Sequence, residues 1–194
     1  MKPLLQLFLL LIPHFSLAGP LISPDLAHDV LEREYIGQKL YWTPMRLPLT
    51  VKQGDTSRDG QTLDALFRAG AVLRERLIST EDVGNGRRRV VMNWTYNWAD
   101  LDQEGVYYGT RQVLDIQSVS PAVQQGERWF AQVRLRWYVD DLPDWLSDPT
   151  LRKARTIRRS MESHHRPFET SLTLEHREGR WQIWVPELYG SDGF

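Results

Sequence analysis

The strongest constraint on the fold is a stretch late in the chain where apolar and polar residues alternate. Six apolar side chains occupy every second position there, namely Trp129, Ala131, Val133, Leu135, Trp137 and Val139. The positions between them include Gln132, Arg134 and Arg136, and Asp140 follows. A period of two residues places one set of side chains on each face of a β-strand. We therefore predict a half-buried strand over residues 128–139.

Further stretches predict strands that pair with their neighbours along the chain. Residues 112–119 form one strand, and a turn over 121–127 joins it to the alternating strand. Residues 168–176 and 180–185 form a hairpin around a Glu-Gly turn, and residues 88–98 alternate as well. Because short loops join consecutive strands, the pairing must be antiparallel. The predicted fold class is α+β, an antiparallel β-meander packed by helices on one face.

Helix signals lie before this meander and between its two hairpins. Ser23 and Pro24 begin a helix that ends at Gly37, because serine caps the first turn and proline fits the first helical position. A second helix is predicted from a cap at Ser147 to about residue 163. An acidic residue, Asp148, lies in its first turn, where the helix dipole favours negative charge.

The segment 62–78 has two interpretations. Its leucines keep helical spacing throughout, which allows one continuous helix. Alternatively, Gly70 ends a shorter helix, and a strand follows that pairs with residues 88–98. We favour the second interpretation. Residues 53–61, which precede this segment and contain glycine, aspartate and serine, are predicted to be loop.

The first residues carry the pattern of a secretory signal peptide. Lys2 supplies the positive charge, and residues 4–12 are apolar apart from Gln6. Ser16 and Ala18 are the small residues of a signal-peptidase site, so we predict cleavage after Ala18. The apolar run is shorter than the ~20 residues of a membrane span, and no transmembrane segment is expected in the mature chain. The mature protein is expected to be periplasmic or secreted.

The chain is predicted to have three parts. Residues 1–18 are the signal peptide, and residues 19–61 are an N-terminal helix and extended segment. Residues 62–194 form a single α+β domain, on which the N-terminal segment packs.

Composition excludes several classes of function. The chain has no cysteine, which removes disulfides, thiolate metal sites and a cysteine nucleophile. It has 24 basic and 25 acidic residues, and loss of Lys2 with the signal leaves 23 and 25, a net charge of −2. This balance argues against electrostatic capture of nucleic acid, so nucleic acid is not an expected partner.

Several local patterns occur in an order that resembles a known family. They are residues 63–73 (LDALFRAGAVL), Tyr107-Tyr108-Gly109, residues 113–116 (VLDI), residues 133–138 (VRLRWY) and residues 141–146 (DLPDWL). Over about residues 63–184 the chain resembles a family of small exported bacterial proteins, mostly uncharacterised, that includes carbapenem intrinsic-resistance (tolerance) proteins. The resemblance implies a small helix and hairpin similar to a degenerate winged helix, joined to an antiparallel sheet. It implies no established chemistry, and in an exported protein it does not indicate DNA binding.

No catalytic motif is evident in the sequence. The chain lacks Gly-x-Ser-x-Gly, Ser-x-x-Lys, His-Glu-x-x-His and a phosphate-binding loop. Glu162, His164 and His165 are the densest group of acid, base or metal-ligating residues. Adjacent histidines on a helix point about 100° apart, and two ligands leave a metal site incomplete. We predict no catalytic residue, no metal site and no cofactor, and interpret this group as a solvated helix end.

Two sets of residues are candidates for ligand binding. Trp94, Trp98, Trp129 and Trp137 fall on the apolar phase of strands and are expected in the core. Trp42, Trp145 and Trp184 have no clear inward phase and are candidates for a surface or groove. Arg152, Arg155 and Arg159 would share one face of the second helix and are candidates for contact with an anionic surface. Alternatively, they form a solvated face balanced by the acidic residues just before them.

Two functions of different classes follow. The first is an exported, non-enzymatic binding or accessory protein of the bacterial envelope that is linked to antibiotic tolerance or envelope stress. Its expected partner is a protein or the cell wall. The alternative is a periplasmic hydrolase acting on cell-wall or antibiotic substrates, with a site assembled around Glu162, His164 or His165. The sequence leaves the ligand and the oligomeric state open.

Overall fold

A computed structural model of the chain describes residues 19–100, 102 and 104–186. The helices are α1 (Pro24–Glu34), α2 (Arg58–Arg68) and α3 (Arg155–Met161). The strands are β1 (Lys39–Trp42), β2 (Leu49–Lys52), β3 (Val72–Asp82), β4 (Arg88–Trp98), β5 (Val106–Val119), β6 (Val123–Gln125), β7 (Arg128–Asp140), β8 (Phe168–Arg177) and β9 (Arg180–Ile183). Short 3-10 turns occupy Asp144–Ser147 and Leu151–Lys153. The antiparallel α+β class predicted from the sequence is confirmed.

The larger sheet is built around the alternating strand. Its order is β1-β5-β7-β8-β9, with β6 also paired to β7, and all pairings are antiparallel. Val133 and Leu135 on β7 are fully buried against Val30 and Leu31 of α1. The predicted inward phase of β7 is therefore confirmed, and burial of side chains of this size stabilises the fold by about 1.5–3 kcal/mol each.

The smaller sheet, of order β2-β4-β3, packs against α2. Leu63 and Leu66 of α2 are fully buried with Tyr96 of β4. Gly70 follows the helix with a φ of +71°, and β3 then pairs with β4 along its whole length. The interpretation of residues 62–78 as a helix followed by a strand is therefore confirmed.

Helix α2 begins earlier than expected. Residues 58–61 are helical, so their prediction as loop was wrong. The Ser57 hydroxyl accepts the N–H of Gly60 at 3.1 Å, while the Asp55 carboxylate accepts the N–H of Ser57 at 2.8 Å. This capping satisfies free N–H groups of the first turn and allows Gly60 to remain in the helix.

The single helix predicted from Ser147 to about residue 163 was also wrong. The Ser147 hydroxyl donates to the Asp144 carbonyl instead of capping a helix, and Asp148 is extended with a ψ of 123°. Pro149 explains this, because proline disfavours the helical conformation in the residue before it. Ala154 is extended as well, with a ψ of 129°, so only the last part of the segment becomes α3.

A third core cluster lies between α3 and the larger sheet. Ile157 of α3 is fully buried with Val139 and Leu146, and Leu40 and Tyr108 complete the cluster. The N-terminal segment takes part in both sheets, because β1 pairs with β5 and β2 pairs with β4. None of the helices in the described part of the chain combines the length and apolarity needed to cross a membrane.

Candidate functional site

A groove of about 850 Å³ lies where α2, α3 and the segment after β1 meet. Its size is within the range of small-molecule sites, about 300–1,000 Å³. Trp42, Arg58, Lys153 and Arg155 line it, together with Asp59. Further lining comes from Gln61, Thr62, Thr150 and Thr156, and from Pro44, Met45 and Ala154.

Local structure positions each part of this lining. Trp42 is the last residue of β1 and is half-buried, because its ring packs against two of the core clusters. Arg58 and Asp59 lie in the first turn of α2, whose start is set by the Ser57 cap. Arg155 is the first residue of α3, and Lys153 ends the preceding 3-10 turn. The break in the predicted helix thus shapes one wall of the groove.

The groove carries an excess of positive charge. Arg58, Lys153 and Arg155 are exposed cations, and Asp59 is the one carboxylate in the described lining. Within the described part of the chain, none of these three cations has a carboxylate at ion-pair distance. Their charges are therefore available to a ligand.

Asp148 makes hydrogen bonds that fix the turn next to the groove. Its carboxylate receives the Arg68 guanidinium at 2.9 Å and the N–H of Thr150 at 2.8 Å, and Leu151 also donates to it. Partial burial opposes ionisation of Asp148, but these hydrogen bonds outweigh it and hold its pKa below the ordinary value. The carboxylate thereby ties α2 to the turn that carries Thr150 and Lys153.

The predicted cationic face is divided in the structure. Arg155 lines the groove, whereas Arg152 is exposed outside it. Arg159 is occupied, since its guanidinium donates to the carbonyls of Arg166 and Pro167 and lies over the Phe168 ring at 4.5 Å. The three arginines do not share one helix face, because α3 begins only at Arg155.

The predicted tryptophans are not brought together either. Trp42 lines the groove, but Trp145 is half-buried between two core clusters and borders a smaller pocket beside Arg68. Trp184 lies at the far side of the large sheet, edge-to-face with Phe130 at 5.9 Å. Of the six predicted binding residues, only Trp42 and Arg155 therefore belong to the groove.

Sequence reasoning missed most of the groove. Arg58, Asp59 and Gln61 fell in a predicted loop, although Ser57 followed by an acid in the first turn was an available helix signal. Lys153 lies within the predicted second helix, but it was not among the candidate binding residues. No pattern in the sequence indicates that this turn lies opposite Trp42.

The Glu162, His164 and His165 group forms no assembled site in the structure. His164 Nε2 lies 3.8 Å from an oxygen of Asp140, and its ring lies 4.5 Å from that of Tyr138, with about half of the imidazole exposed. Glu162 and His165 belong to the exposed turn that ends α3. Among the described residues, no three His, Asp or Glu side chains lie close enough together to hold a metal ion.

Searches against protein-family models, curated proteins and solved structures returned no match to this chain.

Proposed function

We propose that this chain is an exported, non-enzymatic binding or accessory protein of the bacterial envelope, and that the groove between α2 and α3 holds its ligand. The observation that carries the proposal is the composition of the groove. An aromatic ring, an amide, several hydroxyls and three cations without an ion-pair partner among the described residues line one concave volume. Side chains of these kinds bind polar ligands by stacking, hydrogen bonding and charge.

The envelope location rests on the N-terminal pattern of Lys2, the apolar residues 4–12, and the small residues Ser16 and Ala18. We expect the protein isolated from the periplasm or culture medium to begin at Gly19. N-terminal sequencing and intact mass of that fraction test this. The link to antibiotic tolerance rests on the family resemblance, and a deletion strain exposed to carbapenems and other envelope stresses tests it.

Blocking the groove is the direct test of the binding proposal. Thr156 is exposed and lines the groove, so Thr156→Trp adds bulk there without removing core packing. Arg158→Trp adds the same ring to an exposed position of the same helix outside the lining, and it is the matched control. Peptidoglycan fragments and β-lactams are titrated against each variant by thermal shift and calorimetry.

We expect at least one probe to bind the parent protein and the Arg158→Trp control, and binding to fall at least about tenfold in Thr156→Trp. A panel that binds none of the three proteins, or binds all of them equally, overturns the groove as the binding site. Each variant must keep the parent melting temperature.

The hydrolase alternative has one supporting observation, the contact of His164 with Asp140. Ser163, the neighbouring hydroxyl, is fully buried and occupied: it donates to the Ser160 carbonyl at 2.6 Å and accepts the N–H of Val139 at 2.9 Å. A serine held in this way is not available as a nucleophile. Hydrolysis of cell-wall or β-lactam substrates that disappears in His164→Ala, but not in the exposed control His28→Ala, would favour the enzyme over the binding protein.

A further inference from the structure

We infer that the ligand of the groove is an anionic saccharide, a sugar ring that bears a phosphate or a carboxylate; this inference rests on the proposed function and narrows its ligand. The groove has two separate features that such a ligand requires. One is a set of cations without described partners, and the other is an aromatic ring beside amide and hydroxyl groups.

Three cationic side chains line the groove. Arg58 lines the groove from α2, while Lys153 lines it from the second 3-10 turn and Arg155 from α3. Some arginines of the described chain are held by carboxylates, aromatic rings or carbonyls, as at Arg68, Arg74, Arg111, Arg136 and Arg159. Arg58 and Arg155 have no such partner among the described residues, and unlike the exposed Arg152 and Arg158 they line a concave site. The three groove cations face one carboxylate, Asp59, which leaves an excess of two positive charges.

Uncompensated like charges around one concavity repel one another, and an anion placed among them relieves that repulsion. Arginine and lysine also donate charge-assisted hydrogen bonds to phosphate and carboxylate oxygens. The charge of the lining therefore selects an anion.

The polar lining then selects a hydroxylated ring. The Gln61 amide nitrogen donates to the Thr56 carbonyl at 2.8 Å, and among the described residues no donor reaches its side-chain oxygen, which can accept a hydrogen bond. The Thr62 hydroxyl donates to the Arg58 carbonyl at 2.8 Å and can accept a further hydrogen bond. Thr150, which precedes the second 3-10 turn, and Thr156 of α3 add two further hydroxyls to the lining.

Sugar hydroxyls supply the donors that these oxygen atoms accept, and the Trp42 ring offers a flat apolar surface for the C–H face of a sugar. A small inorganic anion would use the cations alone and leave the remainder of the groove unoccupied. The combination of features therefore favours a sugar that carries the negative charge.

Three probes with the same ring test the inference: N-acetylglucosamine, N-acetylglucosamine 1-phosphate and N-acetylmuramic acid. The first is neutral, and the others carry a phosphate and a carboxylate. Inorganic phosphate is the fourth probe. Binding is measured by ligand-observed NMR and calorimetry at low ionic strength, where exposed charges are least screened.

The charge is tested by pairs of matched variants. Arg155→Gln is compared with Arg158→Gln, because both arginines are exposed on α3 and only Arg155 lines the groove. Lys153→Gln is compared with Arg152→Gln in the same way, since both side chains are exposed in one 3-10 turn. We expect an anionic sugar to bind about tenfold more weakly to each groove variant, and to change less than about twofold with each control.

The outcomes separate this inference from the function it rests on. If neutral and anionic sugars bind with equal affinity and Arg155→Gln does not change that affinity, the anionic assignment is overturned. If Thr156→Trp still blocks the binding of these sugars, the groove remains the binding site. Inorganic phosphate that binds as tightly as the sugar phosphate overturns the saccharide assignment. Preference for the phosphate or for the carboxylate probe identifies which anionic sugar the groove recognises.

Discussion

At the scale of single residues, Gly109 in β5 occupies a position that no other residue fits. Its φ of +149° is rare for residues with a side chain, and an added Cβ would lie 2.3 Å from Val139 and 2.7 Å from the Asp140 carbonyl. We expect Gly109→Ala to lower the free energy of unfolding by about 3 kcal/mol or more, since backbone strain and overpacking add. Urea denaturation followed by circular dichroism measures this.

Gly126→Ala is the control for that substitution. Gly126 also has a positive φ, +63°, but its added Cβ would meet nothing within 4 Å. Backbone strain alone predicts a loss of about 1–2 kcal/mol. Equal losses in the two variants would contradict the steric explanation for Gly109.

Tyr96 illustrates how a buried polar group joins α2 to the small sheet. Its ring is 1% exposed, and its hydroxyl donates to Asp64 at 2.7 Å, while the Arg74 guanidinium lies 3.3 Å from the same oxygen. Removing the hydroxyl keeps the ring packing but loses one hydrogen bond to a carboxylate. We expect Tyr96→Phe to cost about 1–2 kcal/mol in urea denaturation, against no measurable change for the exposed Tyr41→Phe.

At the scale of elements, the Asp148 contact with α2 makes stability depend on pH. The pKa of Asp148 is lowered in the folded protein, so its ionised form stabilises the fold above the ordinary aspartate pKa of about 3.9. This contribution disappears as the pH falls through the still lower folded pKa. Asp148→Asn should therefore cost about 1–2 kcal/mol at pH 7, and the difference from the parent should shrink below about pH 4.

Asp144→Asn is the matched control for that measurement. Asp144 is exposed in the preceding 3-10 turn, and only its backbone carbonyl takes part in a described hydrogen bond. At each pH from 3 to 7, we expect the unfolding free energy of Asp144→Asn to stay close to that of the parent protein. A parallel pH dependence in the two variants would show that the effect does not arise from the bonds to Asp148.

The elements also show which parts of the fold could be predicted. The phase of β7 and the hairpin of β8 and β9 depend on local alternation and a Glu-Gly turn, and the sequence contains both. The segment before α3 was predicted to be helical, but Pro149 and the hydrogen bonds accepted by the Asp148 carboxylate interrupt the helix. β5 begins six residues earlier than predicted, at Val106, where pairing with β1 decides the boundary.

At the scale of the whole molecule, the candidate site arises only from the tertiary arrangement. Its residues come from three stretches, at 42–45, 58–62 and 150–156, which are far apart in the sequence. Local patterns place each stretch on an element but do not set the distances between them. Trp42 and Arg155 were predicted individually, while their association with Arg58 and Lys153 depends on how the two sheets are joined. The core cluster around α2 joins them, because it contains Tyr96 of β4 and Val106 of β5.

The three core clusters share side chains, which has a consequence for folding. Trp137 packs against the cluster around Val30 and Leu31 of α1 and also against the cluster around Ile157 of α3. Trp42 and Trp145 pack against this α3 cluster and also against the cluster around Leu63 and Leu66 of α2. Residues that belong to two clusters couple their stability, so the two sheets should unfold together. The groove lies at this junction and depends on both sheets.

Leu31 and Leu66 provide a test of this coupling. Leu31 is fully buried in the core cluster around α1, and Leu66 is fully buried in the core cluster around α2. We expect Leu31→Ala and Leu66→Ala each to cost about 2–5 kcal/mol and to shift one common transition. Far-ultraviolet circular dichroism, tryptophan fluorescence and calorimetry should then give the same midpoint for each variant. Two sheets that unfold independently would instead give two transitions, and each substitution would shift the midpoint of only one of them. The groove would then be lost before the more stable sheet unfolds.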